Sequence, residues 1–131
     1  MKTSELLRRF VPGGQFSFIA DCLRGEEKEH FKEIVTKLKE TILNAPVTYE
    51  QEGKGEKAEI HLHYFVGGCD WFVTEIDTSA ETEQLQAYGL VNLGHGLEYG
   101  YISIADLLKI NGVEIDLYWK IKKVKELIKR V

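Results

Sequence analysis

The sequence predicts an α+β fold in a single domain, with an antiparallel meander sheet of about five strands and helices packed on one face. Two observations support this class. Apolar residues recur every three or four positions in the first third of the chain and then alternate in its middle, which indicates helices followed by strands. Short turn-forming segments separate the strands, and no repeat or linker divides residues 1–131. With 131 residues, 44% of them hydrophobic, the chain can bury a proper core.

Helices are predicted in the first third of the chain. Residues Thr3 to Phe10 predict a short helix that Pro12-Gly13-Gly14 would stop. The segment from Gln15 to Leu23 alternates only briefly and is compatible with a strand or with the approach to a helix. From Glu26 to Leu43 the apolar residues form one stripe, which predicts a helix that ends before Pro46.

Four strands are predicted in the middle of the chain. Residues 49–59 are polar and contain glycines, so we expect an exposed loop before the first strand. The strand segments are rich in aromatic and β-branched residues, and Gly67-Gly68 predicts a hairpin between the first two. A second polar loop is predicted at 78–86. The predicted strands are 59–66, 70–76, 87–93 and 98–104.

The last third of the chain predicts a helix, a strand and a helix. Ser103 can cap the first helix, with Asp106 three residues later, and Asn111-Gly112 supplies its left-handed stop. Residues 113–119 alternate apolar and polar side chains, which predicts the fifth strand. The stretch from Lys120 onward has an apolar side and predicts the final helix.

Composition and charge exclude several classes of protein. The net charge is -4, so a general nucleic-acid-binding role is not favoured. Six basic residues and one acidic residue lie in Lys120–Arg130, which leaves nucleic-acid binding by this tail as a weaker prediction beside a solvated helix face. No apolar run approaches the roughly 20 residues of a membrane helix. Two cysteines without zinc spacing, and nothing like a signal peptide, predict a cytoplasmic protein that does not act at a membrane.

The stretch that begins at His61 holds candidates for chemistry. Two histidines two apart on a strand project from one face, roughly 7 Å apart, and could share a metal. A two-residue turn at Gly67-Gly68, which the glycine pair favours, places His61 opposite Thr74 and points Glu75 to the other face. A three-residue turn would bring Glu75 to the histidine face. The sequence therefore disfavours a metal at His61 and His63, and no cofactor is predicted.

Carboxylates near strands are the other candidates. Glu75, Glu98 and Asp116 could act in general acid-base catalysis if they converge and one of them is desolvated. The spacing along the chain does not show which of them meet. Because Glu75 lies in an otherwise apolar strand, it must find a partner or stay neutral, and an ion pair with Arg or Lys is the simpler expectation.

Several short motifs in the second half of the chain resemble one family. They are an aromatic pair, Gly-Gly, Asp-Trp, Thr-Glu, Tyr-Gly, the run Glu-X-Gly-Tyr-Ile-Ser and a late aspartate. The residues are Tyr64, Phe65, Gly67, Gly68, Asp70, Trp71, Thr74, Glu75, Tyr88, Gly89, Glu98, Gly100, Tyr101, Ser103 and Asp116. As a set they resemble a family of small uncharacterised proteins encoded by phages, plasmids and integrative elements. The resemblance implies an accessory protein of a mobile element, a setting in which small proteins often block host defence enzymes.

Two functions are consistent with these patterns. The resemblance and the lack of a complete catalytic set predict a non-enzymatic module that binds a protein partner, with inhibition of a host defence system of the anti-restriction or anti-CRISPR type as its implied role. The residues predicted to bind are Asp70, Trp71, Glu75, Glu98 and Tyr101. The alternative is a metal-dependent hydrolase or nuclease that uses His61, His63 and a carboxylate from Glu75 or Glu98.

Overall fold

The α+β prediction is confirmed by the structure, a computed structural model that describes residues 2–77 and 85–128. The helices of this part are α1 (Thr3–Phe10), α2 (Gly13–Cys22), α3 (Lys28–Leu43), α4 (Ile104–Leu107) and α5 (Val124–Ile128). Its strands are β1 (Glu59–Ile60), β2 (Leu62–Val66), β3 (Cys69–Ile76), β4 (Gln86–Asn92), β5 (Leu97–Ser103), β6 (Glu114–Ile115) and β7 (Lys122–Lys123). Most of the predicted loop at 78–86 and the end of the basic tail lie outside the described residues. No described helix is long and apolar enough to cross a membrane.

The N-terminal third forms three consecutive helices. The ambiguous segment from Gln15 to Leu23 belongs to α2, and Pro12 separates α1 from α2 as predicted. The two glycines after Pro12 do not form the stop but the first turn of α2, since the amide of Phe16 already donates to the Pro12 carbonyl. The predicted stripe of α3 is buried at Phe31, Ile34, Leu38 and Ile42.

The main sheet is antiparallel, with the strand order β5-β4-β3-β2-β6. The strands β2 to β5 follow one another as the predicted meander, and β6 adds to the outer edge of β2. Val66 pairs with Cys69, so the two-residue turn at Gly67-Gly68 is confirmed. Gly67 has a φ of 55°, a left-handed conformation that this kind of turn requires and that glycine adopts at low cost.

The two faces of this sheet are covered differently. The face that α1 to α4 cover, here called the helix face, includes Leu62, Tyr64, Val73 and Ala87. The Tyr64 hydroxyl donates to the Phe10 carbonyl and so connects this face to the end of α1. The opposite face, here called the second face, has a smaller core of its own. This second core consists of Ala58, Ile60, Phe72, Leu90 and Val124, with Leu97, Trp119 and Leu127 packed against it, so α5 lies on the second face.

A β-bulge at Thr74 changes the face of the residues that follow it. Val73 pairs with Gly89 and Glu75 pairs with Tyr88, so Thr74 is the extra residue on β3. Beyond the bulge Glu75 lies on the second face, beside Tyr88. The expectation that a two-residue turn points Glu75 away from the face of His63 is therefore wrong, since His63 stacks on Phe72 on the second face. The turn itself is as predicted. The prediction follows from the alternation of an uninterrupted strand, and one inserted residue inverts that alternation.

A second irregularity splits the predicted strand 59–66 at His61. The amide of His61 donates to the Val73 carbonyl at 2.8 Å, but β1 leaves the main sheet and pairs with β7 instead. Ile60 packs in the core of the second face and Leu62 in that of the helix face, whereas an unbroken strand would place both on one face. The assumption that His61 and His63 share a face is therefore wrong.

The predicted fifth strand, 113–119, is much shorter than expected. Only β6 is extended and paired, because the chain turns directly after it. The Asp116 carboxylate accepts a hydrogen bond from the Tyr118 amide at 3.0 Å, and the Trp119 amide donates to the Asp116 carbonyl. Such a local side-chain bond offers the backbone an alternative to the sheet and ends the strand.

Candidate functional site: a tyrosine-lined pocket

A cavity of about 430 Å³ opens on the second face of the sheet. The sheet contributes Thr74, Glu75, Tyr88, Tyr99 and Tyr101 to its lining. The other side is formed by residues of 47–58, here called the pocket loop, which connects α3 to β1 and includes Tyr49. A cavity of this size with several aromatic side chains in its lining is typical of ligand sites in proteins.

Four tyrosines line this cavity: the sheet register brings three of them together, and the pocket loop adds Tyr49. Tyr88 pairs directly with Tyr101, and their ring centroids lie 5.3 Å apart at an interplanar angle of 72°. The rings of Tyr88 and Tyr99 lie 6.0 Å apart and nearly parallel, at 14°. The hydroxyl oxygens of Tyr49 and Tyr101 are 3.2 Å apart, so a hydrogen bond joins the pocket loop to β5.

Tyr49 has a strained backbone conformation. Its φ of 75° lies in the left-handed region, and no other non-glycine residue of the described part has a positive φ. For a bulky residue this conformation costs on the order of 1–3 kcal/mol and persists only where the surroundings enforce it. Such strain tends to occur at binding and catalytic sites, which makes its presence at this pocket an independent indication of function.

Glu75 lies in this pocket with only 6% of its surface exposed. Within the described residues its carboxylate has no hydrogen-bond or ion-pair partner, so the expected pairing with Arg or Lys is absent there. The described residues of the pocket lining include a second carboxylate, that of Glu52, and no Lys or Arg. A buried carboxylate without a partner is unfavourable, and a cation that entered the cavity would compensate it.

Two tyrosine hydroxyls of the pocket, those of Tyr49 and Tyr99, resist ionisation. The hydrogen bond with Tyr101 is the largest of the effects that raise the pKa of Tyr49 above its ordinary value of 10.0. Burial, followed by the electrostatic effects of Tyr88 and Glu56, raises the pKa of Tyr99. These two hydroxyls therefore stay protonated at neutral pH and serve as hydrogen-bond groups, not as bases.

Gln51 holds the pocket loop against the sheet. Its Nε2 donates to the carbonyls of Glu59 and Thr74 at 2.9 and 2.8 Å, and its Oε1 accepts from the Glu59 amide at 2.7 Å. The residue is 4% exposed, so the prediction of an exposed loop over 49–59 is wrong at this position. Sequence reasoning missed Gln51 because a single glutamine among glutamates and glycines shows no periodicity.

A second polar group, here called the His63 cluster, consists of His63, Asp70 and Asp116. The Nε2 of His63 lies 2.8 Å from an Asp70 carboxylate oxygen, and its Nδ1 lies 3.6 Å from one of Asp116. The imidazole stacks on the Phe72 ring at 4.5 Å and 5°. The cluster thus connects β2 and β3 to the turn after β6, which is a sufficient structural reason for both aspartates.

His61 lies apart from this cluster. It is 8% exposed, and its ring nitrogens make no hydrogen bond to any described residue. It borders a groove that also contains Lys37 and Leu38 of α3. Burial lowers the pKa of His61 below its ordinary value of 6.5, and the Glu59 carboxylate opposes this shift only in part. Across residues 2–77 and 85–128, no three His, Cys, Asp or Glu side chains are grouped so that they could hold a metal ion.

The buried His61 predicts a pH-dependent stability. Because its pKa is lower in the folded state, its contribution is fully present above about pH 6.5 and is lost as the pH falls towards the folded pKa, at up to about 1.4 kcal/mol per pH unit. Urea unfolding of the wild type and of His61→Leu between pH 5 and 8 measures this. We expect the unfolding free energy of the wild type to fall relative to that of His61→Leu as the pH decreases below 6.5. A difference that is constant with pH would contradict the buried, neutral imidazole.

The remaining candidates do not join the pocket. Glu98 pairs with Val91 on β4 and is exposed, so its side chain lies on the helix-face side of the sheet, away from Glu75. Trp71 packs against the core of the helix face. Of the three carboxylates considered for catalysis, Glu75 is therefore in the pocket, Asp116 is beside His63 and Glu98 is separate from both. Of the predicted binding residues, only Glu75 and Tyr101 line the pocket.

Comparison with known proteins adds no relative: the chain matches no protein-family model, no curated protein and no solved structure.

Proposed function

We propose that this chain is a non-enzymatic binding module that engages a protein partner through the tyrosine-lined pocket. The observation that supports the proposal most is that Glu75 lines one cavity together with four tyrosines and that its carboxylate has no partner among the described residues. The placement in a mobile genetic element, and the inhibition of a host defence enzyme, follow from the family resemblance alone. We propose the mobile-element origin and the inhibition of a host enzyme as the biological context of the pocket.

The rim of the pocket has the character of a protein interface. Tyr49, Tyr99 and Tyr101 are 64%, 48% and 65% exposed, and they cluster around one opening. Tyrosine offers a large, rigid contact area with a hydroxyl at its tip, and it is enriched among residues that dominate binding energy. Three such side chains around a cavity would form the centre of an interface.

The chemistry of the pocket supports binding more than catalysis. Two of its tyrosine hydroxyls have raised pKa values, and among the described lining residues no histidine or second buried carboxylate accompanies Glu75. The arrangement can therefore hold and orient a ligand, but it offers no activated nucleophile at neutral pH. The alternative of a metal-dependent hydrolase lacks a supporting cluster in the described part of the chain.

Truncation of one rim tyrosine tests the proposal. Tyr101→Ala should weaken binding of the partner by about 30-fold, or about 2 kcal/mol, as expected for a central interface tyrosine. Tyr118→Ala is the matched control, because Tyr118 is also 65% exposed but does not line the pocket. Immobilised wild type and both variants are used to capture proteins from host-cell extract, and each captured protein is purified and its affinity measured.

The expected outcome is a purified partner that binds the wild type and Tyr118→Ala equally and Tyr101→Ala much more weakly. A partner that binds all three proteins equally would contradict the pocket as the interface. Far-ultraviolet circular dichroism and thermal melting of the variants show whether both remain folded.

A further inference from the structure

We infer that the pocket receives an arginine side chain of the partner protein, with its guanidinium group paired to the Glu75 carboxylate and stacked on the tyrosine rings. This inference rests on the proposed function and names the group that the partner inserts. It is based on the charge, the free hydrogen-bonding groups and the shape of the cavity.

The charge of the lining favours a cation. Glu52 and Glu75 border the cavity, no described Lys or Arg does, and the Glu56 carboxylate is close enough to Tyr99 to affect it. Aromatic ring faces also attract cations, and this attraction strengthens when the cation is removed from water. Carboxylates and tyrosine rings around one cavity therefore select for positive charge.

The hydrogen bonds among the described pocket residues leave one buried carboxylate as an acceptor for a ligand. The amide of Gln51 is fully used, and the Thr74 hydroxyl donates to the Tyr88 carbonyl at 3.0 Å. The hydroxyls of Tyr49 and Tyr101 bond to each other. The Glu75 carboxylate thus remains without a donor among the described residues, and a ligand that supplies N–H groups would satisfy it.

Arginine fits these conditions better than other cations do. Its planar guanidinium can donate two parallel N–H groups to a carboxylate and can stack on an aromatic ring at the same time. A quaternary ammonium group has no donor for Glu75. Lysine has donors, but its compact and strongly hydrated ammonium group cannot stack. A guanidinium therefore satisfies both the carboxylate and the rings.

Peptide binding tests this inference even before the partner is identified. The probe is the capped tripeptide acetyl-Gly-Arg-Gly-amide, titrated by calorimetry at low salt. We expect saturable binding with a Kd of about 1 mM or tighter. The matched citrulline peptide, which has nearly the same shape but no charge, should bind at least about 10-fold more weakly, and the lysine and trimethyllysine peptides should bind more weakly than the arginine peptide.

Variants locate the binding to the carboxylate. Glu75→Gln should weaken binding of the arginine peptide by at least about 10-fold without lowering the melting temperature, since it removes a buried charge that has no partner among the described residues. Glu98→Gln is the control, because this carboxylate is exposed on the other side of the sheet, and it should bind the peptide like the wild type. If Glu75→Gln fails to fold, the affinities of the arginine and citrulline peptides for the wild-type protein still test the inference.

Several results would overturn the inference. They are equal binding of the arginine and citrulline peptides, tighter binding of the lysine or trimethyllysine peptide, tighter binding of free arginine than of the capped peptide, and no saturable binding at all. If Tyr101→Ala weakens partner binding as expected while the peptides give one of these results, the proposed function stands and the arginine inference fails. If the peptides bind as expected but the partner binds Tyr101→Ala as tightly as the wild type, the proposed function fails instead.

Discussion

Alanine at position 89 is expected to lower the free energy of unfolding by on the order of 3 kcal/mol or more. A Cβ atom at Gly89 would lie 1.9 Å from the Phe72 carbonyl oxygen, 2.9 Å from the Phe72 carbonyl carbon and 3.1 Å from the Thr74 amide nitrogen. All three are backbone atoms that the ladder between β3 and β4 holds in place. The substitution would force these strands apart at the bulge that positions Glu75.

Gly100→Ala is the matched control for this substitution. Gly100 pairs with Gly89 across β4 and β5, yet a Cβ atom built on it meets no other atom within 4 Å. Its replacement by alanine should change the unfolding free energy by no more than about 0.5 kcal/mol. Urea denaturation of both variants makes the comparison. Equal losses at the two positions would mean that the close approach at Gly89 is not what constrains it.

Gln51→Ala is expected to lower the unfolding free energy by about 3 kcal/mol and to abolish binding at the pocket. The substitution leaves the amide and carbonyl of Glu59 and the carbonyl of Thr74 without their side-chain partner. The pocket loop is held to the sheet by these bonds, so its release would also displace Tyr49. Urea denaturation gives the stability, and hydrogen exchange at the Glu59 amide reports the lost bond directly.

Glu52→Ala serves as the control in the same loop. Its side chain is exposed and accepts no hydrogen bond from the described residues, so the unfolding free energy should change by no more than about 0.5 kcal/mol. The protection of the Glu59 amide should also stay as in the wild type. If Gln51→Ala preserves both quantities as well, Gln51 does not anchor the pocket loop.

The sequence predicts the fold best where apolar residues repeat at a regular interval over a long segment. The stripe of α3 and the hairpin at Gly67-Gly68 follow from local patterns that tertiary packing did not override. The later part of the predicted strand 113–119 has the same alternation, but Asp116 makes a competing local hydrogen bond and the chain turns. Alternation alone does not distinguish these outcomes.

The site was harder to predict because single-residue irregularities create it. The bulge at Thr74 places Glu75 beside Tyr88, and the break at His61 separates that histidine from His63. Both features depend on how neighbouring strands pack, and no repeating pattern in the sequence marks either of them. The family resemblance included Gly89, for which the close approach of the Phe72 carbonyl supplies a physical reason.

The most direct test of the tyrosine-lined pocket as a binding site is a titration of ¹⁵N-labelled protein with the capped arginine peptide, followed by amide chemical shifts. We expect the largest shifts at amides of the pocket loop, including Tyr49, and at Thr74 and Tyr101, with saturation at a single affinity. The citrulline peptide should leave these amides nearly unchanged at the same concentration. Largest shifts at the His63 cluster or in the groove beside His61, or equal shifts with both peptides, would contradict a cation site around Glu75.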